Sequence, residues 1–358
     1  MRVAIKQFMH LPSSITNGVI YCGKGDGGLG FPKLEHLVTR VSLGAGLKFT
    51  SSNDPAVRAL SGCATTIARL QRLALSARLP YPYTTTDLKQ YKFRTQKEEL
   101  KRWSALQSQG RAVDSLAGDK VGNAIFYNPT LLKPCRFTTA LQFRTNTAGN
   151  RTSLNCAIPQ VDLNCRKCGA AKETLGHISG QCILTKAARH DEIRDLMMDR
   201  IMEMDKTADV TKEPELHSVN GKLKPDLVIK NQRGVFVVDV TVRHEDEDYL
   251  KIAKEEKQEK YGILLPAMQQ ERGAPTAEVL PIVVGTRGAM PTDTIKCLQK
   301  LGMGRSYHKT ISLMALRSSI TPFWIIRDKF SSIMGRRPVY VGGGDHNLLL
   351  TRVGSPAK

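Results

Sequence analysis

Three cysteines and one histidine lie close together near the middle of the chain, with the spacing C-x2-C-x8-H-x4-C. Zinc takes four nitrogen or sulfur ligands in a tetrahedron, and two thiolates separated by two residues can reach the same side of the ion. The pattern therefore predicts a zinc knuckle with the ligands Cys165, Cys168, His177 and Cys182. Because protein would fill all four positions, we expect a structural zinc ion without a catalytic water. The alternative is that four unrelated residues happen to lie close in sequence.

Basic residues surround this cluster and are abundant throughout the chain, which has a formal net charge of +20. Such an excess favours a polyanionic partner, either nucleic acid or an anionic membrane surface, over a protein with no such partner. The sequence contains no apolar run long enough to span a membrane, and we predict nucleic acid as the partner. The candidate contacts are Arg166, Lys167 and Lys172 within the cluster and Arg189 in the helix predicted after it.

Two aspartates form a second candidate site. Asp226 follows Lys224 and Pro225, and twelve residues separate it from Asp239, which interrupts the apolar run 235–242. Magnesium prefers oxygen ligands and carries water that can attack a phosphate, so carboxylates from adjoining strands suit a magnesium site. A charge inside an apolar strand is costly unless a metal or a partner compensates it. In the alternative interpretation, Asp226 belongs to a turn and Asp239 forms a salt bridge.

This arrangement resembles the PD-(D/E)xK, or restriction-like, nuclease pattern, in which a lysine lies two residues after the second acidic residue. Thr241 occupies that position here; it points to the same face of the strand as Asp239 but carries no charge. The helix predicted next contains Lys257 and Lys260 on roughly one face. Either lysine could reach back to the carboxylates, polarise the scissile phosphate and orient the attacking water. Interleaved glutamates make a solvated helix the alternative for most of its lysines.

The hydrophobic pattern places these residues on a small α/β unit with a mixed sheet. The predicted strands are 226–230, 234–242 and 279–284, with a turn at 231–234. The predicted helices are about 184–204, 247–262, 292–302 and 308–330. We interpret the acidic run 245–248 as a feature of a helix start.

The upstream half of the chain is predicted to be helical. Glycines at 25–30 indicate a tight turn ahead of a helix, 54–79 and about 87–109 predict basic helices, and 141–155 predicts a loop. The basic helices form either a solvated surface or a face for nucleic acid.

Several short motifs occur together in a characteristic order. They are His10-Leu11-Pro12, Asp26-Gly27-Gly28-Leu29-Gly30, Phe143-Arg144-Thr145-Asn146, the predicted knuckle with Glu173-Thr174-Leu175, Arg189-His190, Lys224-Pro225-Asp226, Val238-Asp239-Val240-Thr241-Val242 and Val283-Val284-Gly285-Thr286-Arg287-Gly288. Through these motifs, the chain resembles the C-terminal region of R-two type non-LTR retrotransposon polyproteins, and the resemblance extends over nearly its whole length.

The resemblance implies a restriction-like endonuclease that nicks large-subunit ribosomal RNA genes, so that the freed 3′ hydroxyl primes reverse transcription of the element RNA. It also implies a nuclear location and a nuclease lysine at Lys257 or Lys260. The implied fold is α+β with four regions: a helical thumb and linker at 1–155, the zinc knuckle at 156–185, a PD-(D/E)xK nuclease domain with a mixed sheet at 186–340, and a flexible tail at 341–358.

The sequence contains no F/Y-x-D-D polymerase core, so we expect a fragment of such a polyprotein that begins around the thumb. The leading hypothesis is a magnesium-dependent DNA endonuclease with a structural zinc ion. One alternative is a non-catalytic fragment that binds nucleic acid through the knuckle and the basic helices, and another is the inert product of a dead insertion. The oligomeric state is left open.

Overall fold

The computed structural model describes residues 2–155, 162–218 and 221–333. The predicted tail at 341–358 and residues 156–161, at the start of the predicted knuckle, lie outside this part of the chain. A helical region comes first, the cysteines and histidine of the predicted knuckle follow, and helices packed around a mixed sheet complete the described chain. Among the described residues, we find no helix with the length and apolar character that crossing a membrane requires.

The N-terminal region is built from α-helices that surround two apolar cores. In chain order they are α1 Arg2–Phe8, α2 Gly18–Tyr21, α3 Leu34–Thr50, α4 Pro55–Ser61, α5 Ala64–Ser76, α6 Thr85–Ser104, α7 Val113–Leu116, α8 Ala124–Tyr127, α9 Pro134–Arg144 and α10 Arg151–Asn155. One core contains Trp103 and Phe143, and the other contains Leu43 and Leu70. Burial of these apolar sides against one another stabilises helices that are individually short.

Two predicted segments of this region are wrong. The segment 54–79 is not one helix, because α4 ends at Ser61 and α5 begins at Ala64 after Gly62, a poor helix former. The segment 141–155 is a loop only at 145–150, because α9 continues to Arg144 and α10 begins at Arg151. Leu141 and Phe143 are fully buried, so packing against the core keeps this part of the chain helical.

The predicted mixed sheet is confirmed. The strands are β1 Asp209–Lys212, β2 Leu216–Ser218, β3 Gly221–Leu223, β4 Leu227–Asn231, β5 Gly234–Arg243 and β6 Ala277–Gly285. The main sheet has the order β1-β4-β5-β6, and β2 and β3 pair separately. β5 runs parallel to β6, whereas β1–β4 and β4–β5 are antiparallel.

The turn between β4 and β5 fixes their register. Asn231 pairs with Gly234, which sets Leu227 opposite Val238. Gly234 has a φ of +146°, and a Cβ atom there would lie 2.3 Å from Thr276 Oγ1. Glycine at this position therefore allows the tight turn and the close approach of the chain that enters β6.

Helices cover both faces of the sheet. They are α11 Ile183–Met204, α12 Tyr249–Gly262, α13 Leu265–Glu271, α14 Thr292–Lys300 and α15 Arg305–Ile333. Side chains alternate between the two faces of a strand: Val238 and Val240 of β5 pack in the core with α11, α14 and α15, whereas Val235 and Val237 pack with α12 and α13. β5 is therefore buried on both faces.

The long helix α15 joins the sheet to the N-terminal helices. Ile311 and Ala315 lie in the core shared with the sheet. Leu316 and Ile320 lie instead in the N-terminal core that contains Phe143, together with Leu175. The helical region, the chain around the cysteines and the sheet thus pack against a common helix.

A buried polar network makes a second connection between these regions. Glu245 and Arg287 are both fully buried. Glu245 Oε1 accepts a hydrogen bond of 2.6 Å from the Arg287 backbone N–H, and Arg287 Nε donates to the Phe143 carbonyl oxygen at 2.8 Å. In return, Arg144 Nη2 donates to the Arg287 carbonyl oxygen at 3.2 Å. These bonds give partners to some of the polar groups that would be costly to bury alone.

We interpreted the acidic run 245–248 as a helix start, and this is wrong for Glu245. β5 ends at Arg243 and α12 begins only at Tyr249. Between them Glu245 turns inward, where burial raises the pKa of its carboxyl group despite the nearby Arg287 guanidinium. Glu245 therefore anchors the loop between β5 and α12 to the backbone of Arg287 and does not cap α12.

We expect the Arg287→Ala variant to lose about 3–5 kcal/mol of unfolding free energy, because it removes one partner of a buried charged network. Urea denaturation followed by circular dichroism measures the change. Arg243→Ala is the matched control: it breaks the exposed Arg243–Glu256 pair, and its cost should stay below about 1 kcal/mol. Equal small losses in both variants would contradict the importance of the network.

Candidate functional site

The four predicted zinc ligands come together in the structure. One ligand atom from each of Cys165, Cys168, His177 and Cys182 lies within 4.8 Å of the other three. Cys168 Sγ is 3.3 Å from His177 Nε2. Three thiols and one imidazole that converge in this way suit the tetrahedral coordination of zinc. We call these four residues the Cys3His cluster.

The backbone around the first two cysteines forms a tight turn. The Cys165 N–H donates to the Ala171 carbonyl oxygen at 2.7 Å, and the Gly169 N–H donates to the Cys165 carbonyl oxygen at 2.8 Å. Gly169 has a φ of +67°, a conformation that glycine adopts without strain. A hydrogen bond from the backbone of Ala170 lowers the pKa of the Cys168 thiol. The turn thus favours the thiolate of Cys168, which is the form that binds a metal.

Arg166 pairs with Glu173 beside the cluster and does not extend into solvent. Its Nε atom lies 2.9 Å and 3.0 Å from the two carboxylate oxygens of Glu173, which is fully buried. Glu173 also accepts the Arg151 N–H at 3.0 Å. Of the other predicted nucleic-acid contacts here, Lys172 is exposed and Lys167 is half-buried.

The prediction that Arg189 contacts nucleic acid is wrong. Only 2% of this residue is exposed. Its guanidinium donates to the carbonyl oxygen of Ser179, in the π-helical turn His177–Gln181, and to Ser319 Oγ of α15 at 3.0 Å. Arg189 therefore connects the Cys3His cluster to α15, because α11 turns this side chain toward the interior.

The two predicted carboxylates are neighbours at the start of β4. Asp226 lies one residue before β4, so the antiparallel register places it opposite Asp239, one step beyond the Leu227–Val238 pair. By strand alternation, Asp239 shares the face of Val237, which is covered by α12. The sheet and the helix together determine which side chains meet these carboxylates.

Asp239 meets a lysine from α12. Lys257 Nζ lies 2.8 Å from Asp239 Oδ1, and 5% of the aspartate side chain is exposed. The Thr241 hydroxyl donates to the same oxygen at 3.3 Å. The Tyr261 hydroxyl donates to the Lys224 carbonyl oxygen at 3.1 Å, and burial, together with the charge of Asp239, raises the pKa of Tyr261. Lys257 and Thr241 thus both stabilise the negative charge of Asp239.

The structure separates the two candidate lysines. Lys260 is exposed, and its Nζ atom lies 4.7 Å from the centre of the Tyr261 ring. Lys257 has 21% of its side chain exposed and is the one that contacts Asp239. The sequence left the choice open because a spacing of three residues puts both lysines on one side of the helix.

Asp226 is held from two directions. Its Oδ2 atom accepts the Val240 N–H at 2.6 Å and lies 2.9 Å from His190 Nε2. The hydrogen bond with Asp226 raises the pKa of His190. In the sequence, His190 stands out only as part of the Arg189-His190 motif, which indicates no role for it. Its contact with Asp226 spans 36 residues, and no local spacing rule could indicate it.

The pair of carboxylates suits magnesium better than zinc. Apart from the Cys3His cluster, no group of three or more histidine, cysteine or acidic side chains among the described residues is placed to hold a metal ion. Magnesium is commonly bound by one or two carboxylates, with water and phosphate oxygens as its other ligands. Both hydrogen bonds to the Asp226 carboxylate fall on Oδ2, and across the described chain none is found to Oδ1. The Oδ1 atom of Asp226 can therefore bind a cation.

Two N-terminal helices present positive charge to solvent. Arg69 and Arg72 of α5 are exposed, as are Lys89, Lys92 and Lys101 of α6. Such a surface favours contact with a polyanion.

Comparison with known proteins identifies relatives of this chain. No protein-family model matches it. It is 24% identical over 354 residues to a Popillia japonica protein described as "Retrovirus-related Pol polyprotein from type-1 retrotransposable element R2". The aligned region covers 96% of this chain and 70% of that protein. A second Popillia japonica protein with the same description is 24% identical over 337 residues, covering 91% of this chain and 42% of the relative. Similarity over nearly the whole chain supports a retrotransposon polyprotein and a retrotransposon-related function.

Proposed function

We propose that this chain is the endonuclease portion of a retrotransposon polyprotein and that it nicks DNA with magnesium held by Asp226 and Asp239. The observation that carries the proposal is the contact of Lys257 Nζ with Asp239 Oδ1, at 2.8 Å, beside Asp226. Two carboxylates and one ammonium from a hairpin and its following helix match the chemistry of a restriction-like nuclease. The similarity to the retrotransposon polyproteins supports a role in such an element.

Each residue of the site has a separate role in this proposal. Asp226 and Asp239 would hold the ion through carboxylate oxygens. Magnesium, when bound, supplies a water molecule of lowered pKa and positive charge beside the phosphate. Lys257 can donate a proton of its ammonium group in a hydrogen bond to a phosphate oxygen, which stabilises the charge that develops there. The Thr241 hydroxyl keeps Asp239 oriented on the α12 face.

The proposed substrate is double-stranded DNA, and the resemblance to R-two type elements suggests large-subunit ribosomal RNA genes in the nucleus. The nick would leave a 3′ hydroxyl that primes reverse transcription of the element RNA. The exposed basic residues of α5 and α6, with Lys172 beside the Cys3His cluster, provide positive charge for binding DNA or RNA. The polymerase would be supplied by another part of the polyprotein.

We further propose that the Cys3His cluster binds one structural zinc ion. The four ligand atoms already lie within 4.8 Å of one another, and a fourth protein ligand leaves no position for a catalytic water. Cys182 immediately precedes α11, the helix that carries His190 and contributes Ile193 to the core on the sheet. The metal would therefore fix the beginning of a helix that supports the nuclease carboxylates.

A non-catalytic nucleic-acid-binding fragment is the second candidate function. The observation in its favour is that Lys257 already neutralises Asp239, so the pair could be stable without a cation. Under this alternative, the chain binds DNA or RNA through its basic helices and does not cut either.

Alanine at Asp226 or Asp239 should lower magnesium-dependent nicking by at least about 1,000-fold, because the ion supplies several kcal/mol of transition-state stabilisation. The assay uses a supercoiled plasmid that carries a large-subunit ribosomal RNA gene. Asp199→Ala, an exposed position on α11, is the control and should nick normally. DNA binding on a gel should survive in all three variants. Unchanged nicking in both site variants would remove the carboxylate assignment, and binding without nicking in the parent chain would favour the second candidate function.

The two lysines should differ in the same assay. Lys257→Ala should lower nicking by about 100-fold, the scale expected when one charge-stabilising donor is lost. Lys260→Ala should change it by less than about tenfold, or 1.4 kcal/mol, because Lys260 lies over Tyr261. A thermal unfolding scan of each variant controls for stability. A large effect of Lys260→Ala with little effect of Lys257→Ala would reverse the assignment.

Elemental analysis should find one zinc ion per chain in the parent protein and none in Cys182→Ser. Because the site orders the start of α11, loss of zinc should lower the midpoint of thermal unfolding by several degrees, in keeping with the folding energy that structural zinc contributes. Cys63→Ser, which changes an exposed cysteine, should keep both the zinc and the midpoint. A zinc-free parent protein with an unchanged midpoint would contradict the zinc proposal.

A further inference from the structure

His190 approaches Asp226 from the side of the sheet opposite α12. It lies on α11, whose Ile193 and Met197 pack in the core with β5 residues Val238 and Val240. From there, His190 Nε2 reaches to 2.9 Å from Asp226 Oδ2. Its side chain is 26% exposed and that of Asp226 is 12% exposed, so the contact is largely shielded from solvent.

Two donors converge on one oxygen of Asp226. The Val240 N–H lies 2.6 Å from Oδ2, and His190 Nε2 lies 2.9 Å from the same atom. Because both contacts fall on Oδ2, they fix the rotation of the carboxylate and direct Oδ1 away from them. Asp239 is oriented by an independent set of groups, which includes Lys257.

The imidazole is itself held in place. His190 Nδ1 lies 3.1 Å from Asp191 Oδ1, and Arg194 Nη1 lies 3.0 Å from that same oxygen. Arg194 is buried and also pairs with Glu213. The backbone N–H of Glu213 donates to the Asp226 carbonyl oxygen at 2.9 Å. The chain of contacts therefore supports Asp226 through both its side chain and its backbone.

Resting on the proposed nuclease function, we propose that His190 is a positioning residue that holds Asp226 Oδ2 so that Oδ1 faces the divalent cation. His190 is not itself a ligand of that ion, since it forms no compact three-residue group with Asp226 and Asp239 among the described residues. Groups that orient the ligands of a metal typically change its affinity, or the activity that depends on it, by about 10–100-fold when they are lost.

The test measures binding of Mn²⁺, a paramagnetic substitute for Mg²⁺, to the full zinc-loaded chain without DNA. Electron paramagnetic resonance reports the free ion, and the site of interest is the one that Asp226→Ala removes. His190→Ala should weaken this site by at least about 10-fold. His190→Gln should restore most of the affinity, because its amide nitrogen can still donate to Oδ2. His217→Ala, which changes an exposed histidine of β2, is the matched control and should bind as the parent does.

A merely structural role would not produce this pattern. Thermal unfolding of the same variants shows whether each is folded; if His190→Ala is not, His190→Asn, whose shorter amide does not reach Oδ2, takes its place beside His190→Gln. Parent-like Mn²⁺ affinity in the folded Ala or Asn variant would overturn the proposal, as would equal loss in the Gln variant. In nicking assays, the Ala variant should need a higher Mg²⁺ concentration for half-maximal rate.

The two proposals fail in different ways. A parent chain that binds Mn²⁺ at Asp226 but never nicks DNA would count against the nuclease function, while the affinities of the His190 variants would still decide the positioning role. A parent chain without a Mn²⁺ site that depends on Asp226 would overturn both.

Discussion

The register of the β4–β5 hairpin determines the arrangement of the candidate active site. The turn at 231–234 pairs Asn231 with Gly234, and the ladder that follows brings Asp226 opposite Asp239. A slip of one residue would move every side chain of β5 to the other face. An apolar side chain would then occupy the position of Asp239. The buried alternation of β5, with apolar cores on both faces, makes such a slip costly. The same alternation turns Asp239 toward α12, where Lys257 meets it.

Elements from both faces of the sheet support this pair of carboxylates, and they connect it to the rest of the chain. α12 supplies the lysine on one face, and α11 supplies His190 from the other. α11 begins directly after Cys182, so the Cys3His cluster is joined to the site by a single helix. Arg287 and Glu245, just beyond the ends of β6 and β5, extend the connection to α9 through Phe143. These buried contacts connect the Cys3His cluster and the helical region outside the sheet to the elements that carry the carboxylates.

Much of this arrangement could be predicted from the sequence, because its signals are local. The apolar runs and the turn residues predicted β4, β5 and β6, and the cysteine spacing predicted the convergence of Cys165, Cys168, His177 and Cys182. The errors arise where long-range packing decides. Arg189 looked like a surface residue but is buried against α15, and Glu245 looked like part of a helix start but lies beneath Arg287. The role of His190 depends on how α11 lies on the sheet, which no spacing in the sequence encodes.

Iron-mediated cleavage of the protein backbone tests most directly whether Asp226 and Asp239 hold a divalent cation. Fe²⁺ is added in place of Mg²⁺ to the full chain prepared with Zn²⁺, and ascorbate with peroxide then generates hydroxyl radicals that cut the chain near any bound iron. We expect cleavage around residues 226 and 239, suppressed by excess Mg²⁺ and absent in the Asp226→Ala/Asp239→Ala variant. Cleavage elsewhere, or cleavage at these positions that persists in the double variant, would contradict it.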